Sequence, residues 1–280
     1  MNLKEIMDNN CRKYETFDFI KNDPILFPHR FNKKEDIEIA GFIAASFAYG
    51  KRSLFIAKLN ELFDIMNNEP YKFVKNYKRI KPDLNGINYR FAKENDINNM
   101  LYVLSTIYNE ENSSLSDLFY EYYNNSQNNH PKLGKIHNMF FKISQYFYKN
   151  CPNEPQAGFR HLLPDASNMG SCKRLNMFLR WMIRKSDVDF GLWKFIDKSE
   201  LLIPLDVHVG NISRQYNLLK RKNNDYKSVI ELTQNLKQFD PHDPIKYDFA
   251  LFSLGVFIWR ATACSIFEFI PQRGLTLVWL

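Results

Sequence analysis

A lysine and an aspartate in this sequence have the chemical types needed for nucleophilic catalysis. Lys173 lies in "GSCKRLNMFLRWM" at the predicted start of a helix, and Asp206 lies in "IPLDVHVGNISR", after an apolar run and a proline. The positive end of a helix dipole disfavours an ammonium group, so a lysine in a first turn reaches its neutral form more easily. A neutral lysine amine is a nucleophile. Lys173 and Asp206 are therefore candidate catalytic residues.

Both residues also have ordinary structural explanations. A lysine at a helix start on a basic face is usually solvated, and an aspartate after a proline most often caps the next helix. Asp206 precedes "VHVGNISRQY" and suits that capping role, while His208 is more often a packed or surface histidine than a ligand. The chemistry depends on whether the fold brings Lys173 and Asp206 together.

The residues around Lys173 are typical of two helices joined by a tight turn. Residues 160–185 begin with an apolar helix end and a proline, continue with turn formers, and then enter a second helix. We expect Ser171 to cap that second helix, because its hydroxyl can satisfy a free amide. Lys173 then shares a face with Arg180 and Arg184. The opposite face is a buried apolar stripe made of Leu175, Phe178, Leu179 and Met182.

Helical periodicity runs through most of the chain and predicts an all-α protein. Apolar residues recur at spacings of three and four, without the alternation of a β-strand. The predicted helices cover residues 35–66, 97–108, 115–123, 135–149, 172–185, 206–216, 225–238 and 244–258.

Clusters of proline and asparagine separate these helices, but no long linker divides the chain. We expect a single unit over residues 1–280 with two helical lobes around a cleft. The lobes are assigned to residues 1–30 plus 160–280 and to residues 31–159. The apolar tail at residues 261–280 shows no clear period and is not assigned.

Composition narrows the class of protein. No window reaches the 18 or so consecutive apolar residues of a membrane span, and the charged start is unlike a signal peptide. The 4 cysteines contain no C-x-x-C pair, which argues against a zinc knuckle and an iron–sulfur cluster. The net charge of +7 favours a polyanionic partner, and nucleic acid is the first candidate. We expect a monomer in the cytoplasm, associated with the nucleoid.

Taken together, the two catalytic segments resemble the helix-hairpin-helix DNA glycosylase superfamily. In that superfamily a hairpin, here about residues 155–185, presents a lysine, and a later V-D-T-H type segment supplies an aspartate. "GSCKRLNMFLRWM" is similar to the hairpin's second helix, and "IPLDVHVGNISR" to the aspartate segment. The spacing between Lys173 and Asp206 is similar to that of the archaeal 8-oxoguanine glycosylase branch and too long for the endonuclease III branch.

A third segment, "KYDFALFSLG" at residues 246–255, is similar to the late helix of the archaeal enzymes. There an aspartate and an aromatic residue four positions later hold the flipped base, which places Asp248 and Phe252 on one helix face. Phe178 or Met177 is expected on the other side of the base. Core packing for Phe252 and a helix cap for Asp248 stay open as alternatives.

The resemblance also extends toward the N-terminus. The chain is similar to a bacterial family of mostly uncharacterised proteins carrying R-H-L-L-P, C-K-R-L-N-M-F-L-R-W-M and I-P-L-D elements, with "DPILFPHRF" at residues 23–31. "EIAGFIAASFAYGKR" lies where glycosylases place the helix and loop that invade the duplex. The hairpin loop "LPDASNMGSCK" is longer than the usual L-P-G-V-G-x-K form.

The resemblance implies a bifunctional DNA glycosylase and lyase that acts on double-stranded DNA containing a damaged base. The first candidate for this base is 8-oxoguanine. It implies that Lys173 attacks the sugar, and that Asp206 stabilises the developing charge and helps to deprotonate the lysine. Asp248 reads the base edge, and no metal or other cofactor is needed. The residues expected to contact the DNA backbone are Asn168, Gly170, Ser171 and Arg174.

Three alternatives stay open. One is a metal-dependent phosphohydrolase with a cluster made of His161, Asp206, His208, His242, Asp243 and Asp248. "FDPHDPIKYDF" is, however, more typical of helix caps, with Asp243 opening a helix before Pro244. The second is a non-catalytic binder of damaged DNA that uses the same hairpin. The third is a glycosylase for another lesion.

Overall fold

The computed structural model describes residues 2–110, 113–125 and 133–255 of the 280-residue chain. Within these ranges the regular structure is helical, and the β pairing is limited to isolated bridges. The α-helices of these ranges, numbered in chain order, are α1 (Leu3–Tyr14), α2 (Lys34–Phe47), α3 (Arg52–Ile65), α4 (Pro70–Ile80), α5 (Glu94–Asn109), α6 (Leu115–Asn124), α7 (Lys135–Asn150), α8 (Ala157–Leu162), α9 (Lys173–Ile183), α10 (Val207–Gln215), α11 (Tyr226–Lys237) and α12 (residues 248–255).

The predicted all-α class is confirmed, and most predicted helices begin and end within a few residues of the observed ones. No helix was predicted where α1 and α4 lie, and at residues 35–66 one periodic stretch forms two helices, α2 and α3. The chain turns at Gly50, whose φ of 77° lies in the left-handed region that glycine adopts without a steric penalty. The assignment of two lobes stays a prediction, and the tail at residues 261–280 lies outside the described residues. None of the described helices is long and apolar enough to cross a membrane.

Helix α2 lies at the centre of the core. Every residue from Ile37 to Phe47 is buried, including Glu38, because the segment is apolar on all sides. Helix α9 packs directly against it at Gly41. A Cβ atom at this position would lie 3.2 Å from Met182 Cε and 3.3 Å from Phe178 Cε2. The glycine thus allows the two helices to approach closely.

Aromatic rings fill the space around the contact between α2 and α9. The ring of Phe178 has no exposed surface and contacts the rings of Phe42, Phe119 and Trp193 at centroid distances of 5.4, 5.7 and 5.3 Å. These edge-to-face contacts are the geometry that aromatic pairs prefer. Most phenylalanines of the described residues lie in the interior in this way, whereas Phe17 and Phe91 are more than half exposed.

A buried carboxylate fixes the segment that follows α9. Glu38 of α2 accepts hydrogen bonds from Trp193 Nε1 at 2.7 Å and from the Tyr108 hydroxyl at 2.8 Å. Burial raises the pKa of Glu38, while these two hydrogen bonds favour the ionised form. The interaction holds the residues between α9 and α10 against the central helix.

Replacing Gly41 by valine is expected to overpack the contact between α2 and α9. Small-to-large changes in a packed core cost about 1–3 kcal/mol of unfolding free energy. Urea denaturation of Gly41→Val measures this loss. Gly170→Val is the control, because a Cβ atom there would meet nothing within 4 Å. Equal stability of the two variants would contradict the close helix contact.

Candidate active site

Lys173 and Asp206 are in direct contact. Lys173 Nζ lies 3.0 Å from Asp206 Oδ2, and the two side chains are 31% and 18% exposed. Lys173 is the first residue of α9, and Asp206 is the N-cap of α10. The N-termini of these two helices therefore meet at one partly exposed site.

Asp206 uses its two carboxylate oxygens for two different partners. Oδ1 accepts a hydrogen bond from the Val209 amide at 2.9 Å and so caps α10, as predicted, while Oδ2 faces Lys173. Burial alone would raise the pKa of Asp206, but the charge of Lys173 and the Val209 amide outweigh it, so that the pKa is lowered. The carboxylate is thus held in its ionised, proton-accepting form beside the lysine.

The start of α9 differs from the prediction. Ser171 was expected as the N-cap, but Cys172 holds that position with a left-handed φ of 46° and no side-chain capping bond. The Asn176 side chain instead reaches back and donates to the Ser171 carbonyl at 3.0 Å. The left-handed conformation of Cys172 turns the chain before Lys173, and the Asn176 bond holds this turn.

Several backbone carbonyls of the hairpin loop are bonded to groups from the protein interior. The Tyr226 amide donates to the Met169 carbonyl at 2.9 Å, and His137 Nε2 donates to the Gly170 carbonyl at 3.4 Å. Burial lowers the pKa of His137 to about 4, so this histidine is neutral at pH 7. The first amides of a helix have no intrahelical acceptor, so those at the start of α9 are free to bind an anion.

A surface pocket of 340 Å³ lies at this end of α9. The four residues expected to contact the DNA backbone all line it, together with two further basic or acidic groups and the candidate nucleophile: Asn168, Gly170, Ser171, Arg174, Arg160, Asp165 and Lys173. The sequence-predicted binding residues are therefore adjacent in space to the candidate nucleophile.

Arg174, the fourth expected backbone contact, is directed inward. Its guanidinium donates to the carbonyls of Ser46, at 2.7 Å, and His161, and it lies over the Tyr49 ring at 4.9 Å from the centroid. Arg174 lines the pocket, but its charged group ties α9 to the end of α2. We therefore no longer assign Arg174 to a phosphate.

The expected base-binding residues divide into two groups. Phe252 is half-buried, and its ring centroid lies 6.4 Å from that of His208, two residues after Asp206. Phe178, in contrast, belongs to the core beneath α9, and Met177 is only 8% exposed. Phe178 is thus not available to stack on a base, because its ring is enclosed by other rings.

Asp248 is held by an arginine that was not assigned a site role. Arg180 Nη1 donates to Asp248 Oδ2, and Arg180 Nε donates to Asp189 Oδ1 at 3.3 Å. Burial raises the pKa of Asp248 to about 6 even though Arg180 opposes the shift, and the nearby Asp206 carboxylate acts in the same direction as burial. The charge of Asp248 is therefore coupled to the Lys173–Asp206 pair.

Arg180 and Arg184 form a buried ion-pair network, which corrects the expectation of a basic helix face. Arg184 binds three carboxylates: Asp243 at 3.0 Å, Asp189 at 2.9 Å, and Glu15. Both arginine side chains are less than 10% exposed. The buried Met177 and Trp181 beside Arg180 were the signal for this network, because a charged group on a buried helix requires a partner.

The residues of the hypothetical metal cluster are not assembled. Asp243 precedes the helical turn at Pro244, as predicted, but its carboxylate binds Arg184. Within the described residues, no three His, Cys, Asp or Glu side chains lie where they could hold one metal ion. The structure gives no support to the phosphohydrolase alternative.

The chain belongs to the family described as "Protein of unknown function (DUF2400)", whose model matches residues 23–257. The matched range includes Lys173, Asp206 and Asp248 and leaves α1 outside. No curated protein and no solved structure matches the chain.

The double role of Asp206 predicts a separable effect on stability. Asp206→Asn keeps a capping oxygen, whereas Asp206→Ala loses it and is expected to cost about 1 kcal/mol more. Because the folded pKa of Asp206 is lowered, its ionised form stabilises the fold above the unfolded pKa of about 4. The deficit of Asp206→Asn should shrink as the pH falls through the lower folded value. Chemical denaturation at pH 7 and pH 3 measures it, and a deficit that does not change with pH would contradict the ion pair.

Removing the charge of Arg184 leaves its carboxylate partners buried without compensation. Arg184→Met is expected to lower the unfolding free energy by about 3–5 kcal/mol. Lys72→Met, which breaks the exposed ion pair with Glu69, is the control and should cost no more than about 1 kcal/mol. Thermal and urea denaturation compare the two, and similar losses would show that the network contributes little.

Proposed function

We propose that this protein is a DNA glycosylase with an associated lyase activity, which excises an oxidised purine, 8-oxoguanine first, from double-stranded DNA. The observation that carries the proposal is the 3.0 Å contact between Lys173 Nζ and Asp206 Oδ2 at two helix N-termini. The two residues are far apart in the sequence, so the fold brings them together. A nucleophile and its proton acceptor within hydrogen-bond distance are the parts that covalent catalysis by lysine requires.

DNA binding is supported by the hairpin in front of Lys173. Phosphates bind well at helix N-termini, where backbone amides and the helix dipole both favour an anion. The pocket at the start of α9 adds the side chains of Asn168 and Ser171 and the charges of Lys173 and Arg160. The net charge of +7 strengthens the attraction to DNA at long range. The loop thus contacts the backbone and brings the lysine to the sugar.

The chemistry follows from the Lys173–Asp206 pair. As bound DNA excludes water, the Lys173 ammonium gives a proton to Asp206, and the lone pair of the resulting amine attacks C1′ of the flipped nucleotide. The bond from C1′ to the base breaks, and the base leaves with the bonding electrons and takes up the proton from Asp206. The Asp206 carboxylate, ionised again by this transfer, stabilises the positive charge that develops on the sugar. Opening of the sugar ring gives a Schiff base, and loss of a proton from C2′ expels the 3′ phosphate.

The base is held beside this pair. Phe252 offers an aromatic surface close to His208, and Asp248 lies where its carboxylate interacts electrostatically with Asp206 and Lys173. Arg180 engages Asp248 Oδ2, which leaves Oδ1 as an acceptor for a base N–H. His208 orients its neighbours and takes no proton in this scheme. The fold of the proposal is the helix-hairpin-helix glycosylase fold, with the pair at its cleft.

Borohydride trapping on duplex DNA tests the proposal. The substrates carry one 8-oxoguanine or one abasic site, and the proteins are wild type, Lys173→Gln and Asp206→Asn. Wild type should give a covalent adduct that Lys173→Gln abolishes. Asp206→Asn should slow adduct formation by about 10²-fold or more, the usual contribution of a positioned proton acceptor.

Matched variants separate the site from general charge effects. Asp225 caps α11 and pairs with Arg221 in the same way, so Asp225→Asn should leave trapping unchanged. Lys72→Gln removes a lysine of the ion pair on α4 and should have no effect. An adduct that is still formed by Lys173→Gln would overturn the assignment of Lys173 as the nucleophile. Tight binding to damaged duplex without any adduct would favour the non-catalytic binder.

A further inference from the structure

Phe252 is covered on its accessible side by a cation. Its ring packs partly against the core, and the guanidinium carbon of Arg52 lies 5.3 Å from the ring centroid. His208 approaches the same ring edge-on. A planar base that stacks on Phe252 needs the position over the ring that Arg52 occupies.

Arg52 is not held in that position by a carboxylate. It is the first residue of α3, follows Lys51, and has no acidic residue in the first turn of its helix. Among the described residues no Asp or Glu oxygen lies within ion-pair distance of its guanidinium. Other arginines, such as Arg180 and Arg184, are bound by several carboxylates.

The cation–π contact of a half-exposed arginine is weaker than a bidentate pair with a phosphate. A phosphodiester next to the site would therefore draw the guanidinium away from the ring. The Arg52 side chain therefore leaves the Phe252 ring only when an anion is present to bind it. The two binding events, of phosphate and of base, are then linked.

We propose that Arg52 covers the base-binding face of Phe252 in the free protein and moves to a DNA phosphate when the duplex binds, which opens this face for the flipped base. The inference rests on the proposed function. Arg52 is a positioning and specificity residue here, because it takes no part in the bond changes at the sugar. A base or nucleoside that carries no phosphodiester cannot displace it.

Binding measurements without turnover test the exchange. The probes are the nucleoside 8-oxo-2′-deoxyguanosine and a duplex with one 8-oxoguanine, the latter with Lys173→Gln as background to prevent cleavage. Arg52→Ala should bind the nucleoside at least about tenfold more tightly than the protein with Arg52. The same variant should bind the duplex more weakly, with the slope of log K against log salt reduced by about 1, as for one lost phosphate contact.

Lys51→Ala is the matched control. It removes an exposed positive charge from the neighbouring residue, so it can weaken duplex binding but should leave nucleoside binding unchanged. Melting temperatures confirm that both variants are folded. NMR of the free protein gives a second measure, since ring current should shift the Arg52 side-chain protons upfield, and Phe252→Leu should abolish this shift.

The outcomes separate this inference from the proposed function. If wild type forms the borohydride adduct but Arg52→Ala gains no nucleoside binding, the covering role is wrong and the glycosylase stands. An unchanged salt slope in Arg52→Ala would overturn the phosphate contact. If wild type forms no adduct, but Arg52→Ala gains nucleoside binding and loses duplex affinity, the covering role of Arg52 is retained in a protein that binds DNA without catalysis.

Discussion

The burial of α9 is the constraint on which the site depends. This helix packs against α2 through Gly41 and is enclosed by aromatic rings, so its polar side chains have little access to water. Two arginines on such a helix need carboxylates, and Arg180 and Arg184 take them from three other parts of the chain. The requirement for charge pairing in a medium of low dielectric constant therefore fixes α12 and the loop after α9 relative to Lys173.

The candidate site is the exposed end of this buried structure. Lys173 is the one member of the α9 face with substantial access to solvent, and it pairs with Asp206 at the start of another helix. Because Asp206 is held through its second oxygen by the α10 amide, the carboxylate cannot follow the lysine if the lysine moves. A fixed acceptor beside a movable amine is the arrangement in which the amine can turn toward a substrate without losing its base.

Much of the fold and of the site could be predicted from the sequence. Periodicity found most of the helices but not α1 and α4, and residue type placed Asp206 as a cap, because both signals are local. The break between α2 and α3 was missed, since apolar spacing continues through a turn that only the backbone of Gly50 reveals. The contact of Lys173 with Asp206 was expected from a family resemblance alone, as no local rule joins residues so far apart in sequence.

Other roles could not be predicted because they depend on burial. Phe178 and Arg174 have types suited to stacking and phosphate binding, yet one is enclosed in the core and the other donates to backbone carbonyls. Arg180 and Arg184 were expected on a basic face from their residue type, because the sequence does not show how deeply they are buried. Side-chain type states what a group can do, whereas depth in the fold decides whether a ligand reaches it.

The pairing of Arg184 with three carboxylates makes the charge balance of this site redundant. Glu15 follows α1, and both lie before residue 23, where the family match begins, whereas Asp189 and Asp243 lie inside it. A relative without an acid at the position of Glu15 would still neutralise this guanidinium. The neutralisation of Arg184 therefore does not depend on the segment before residue 23.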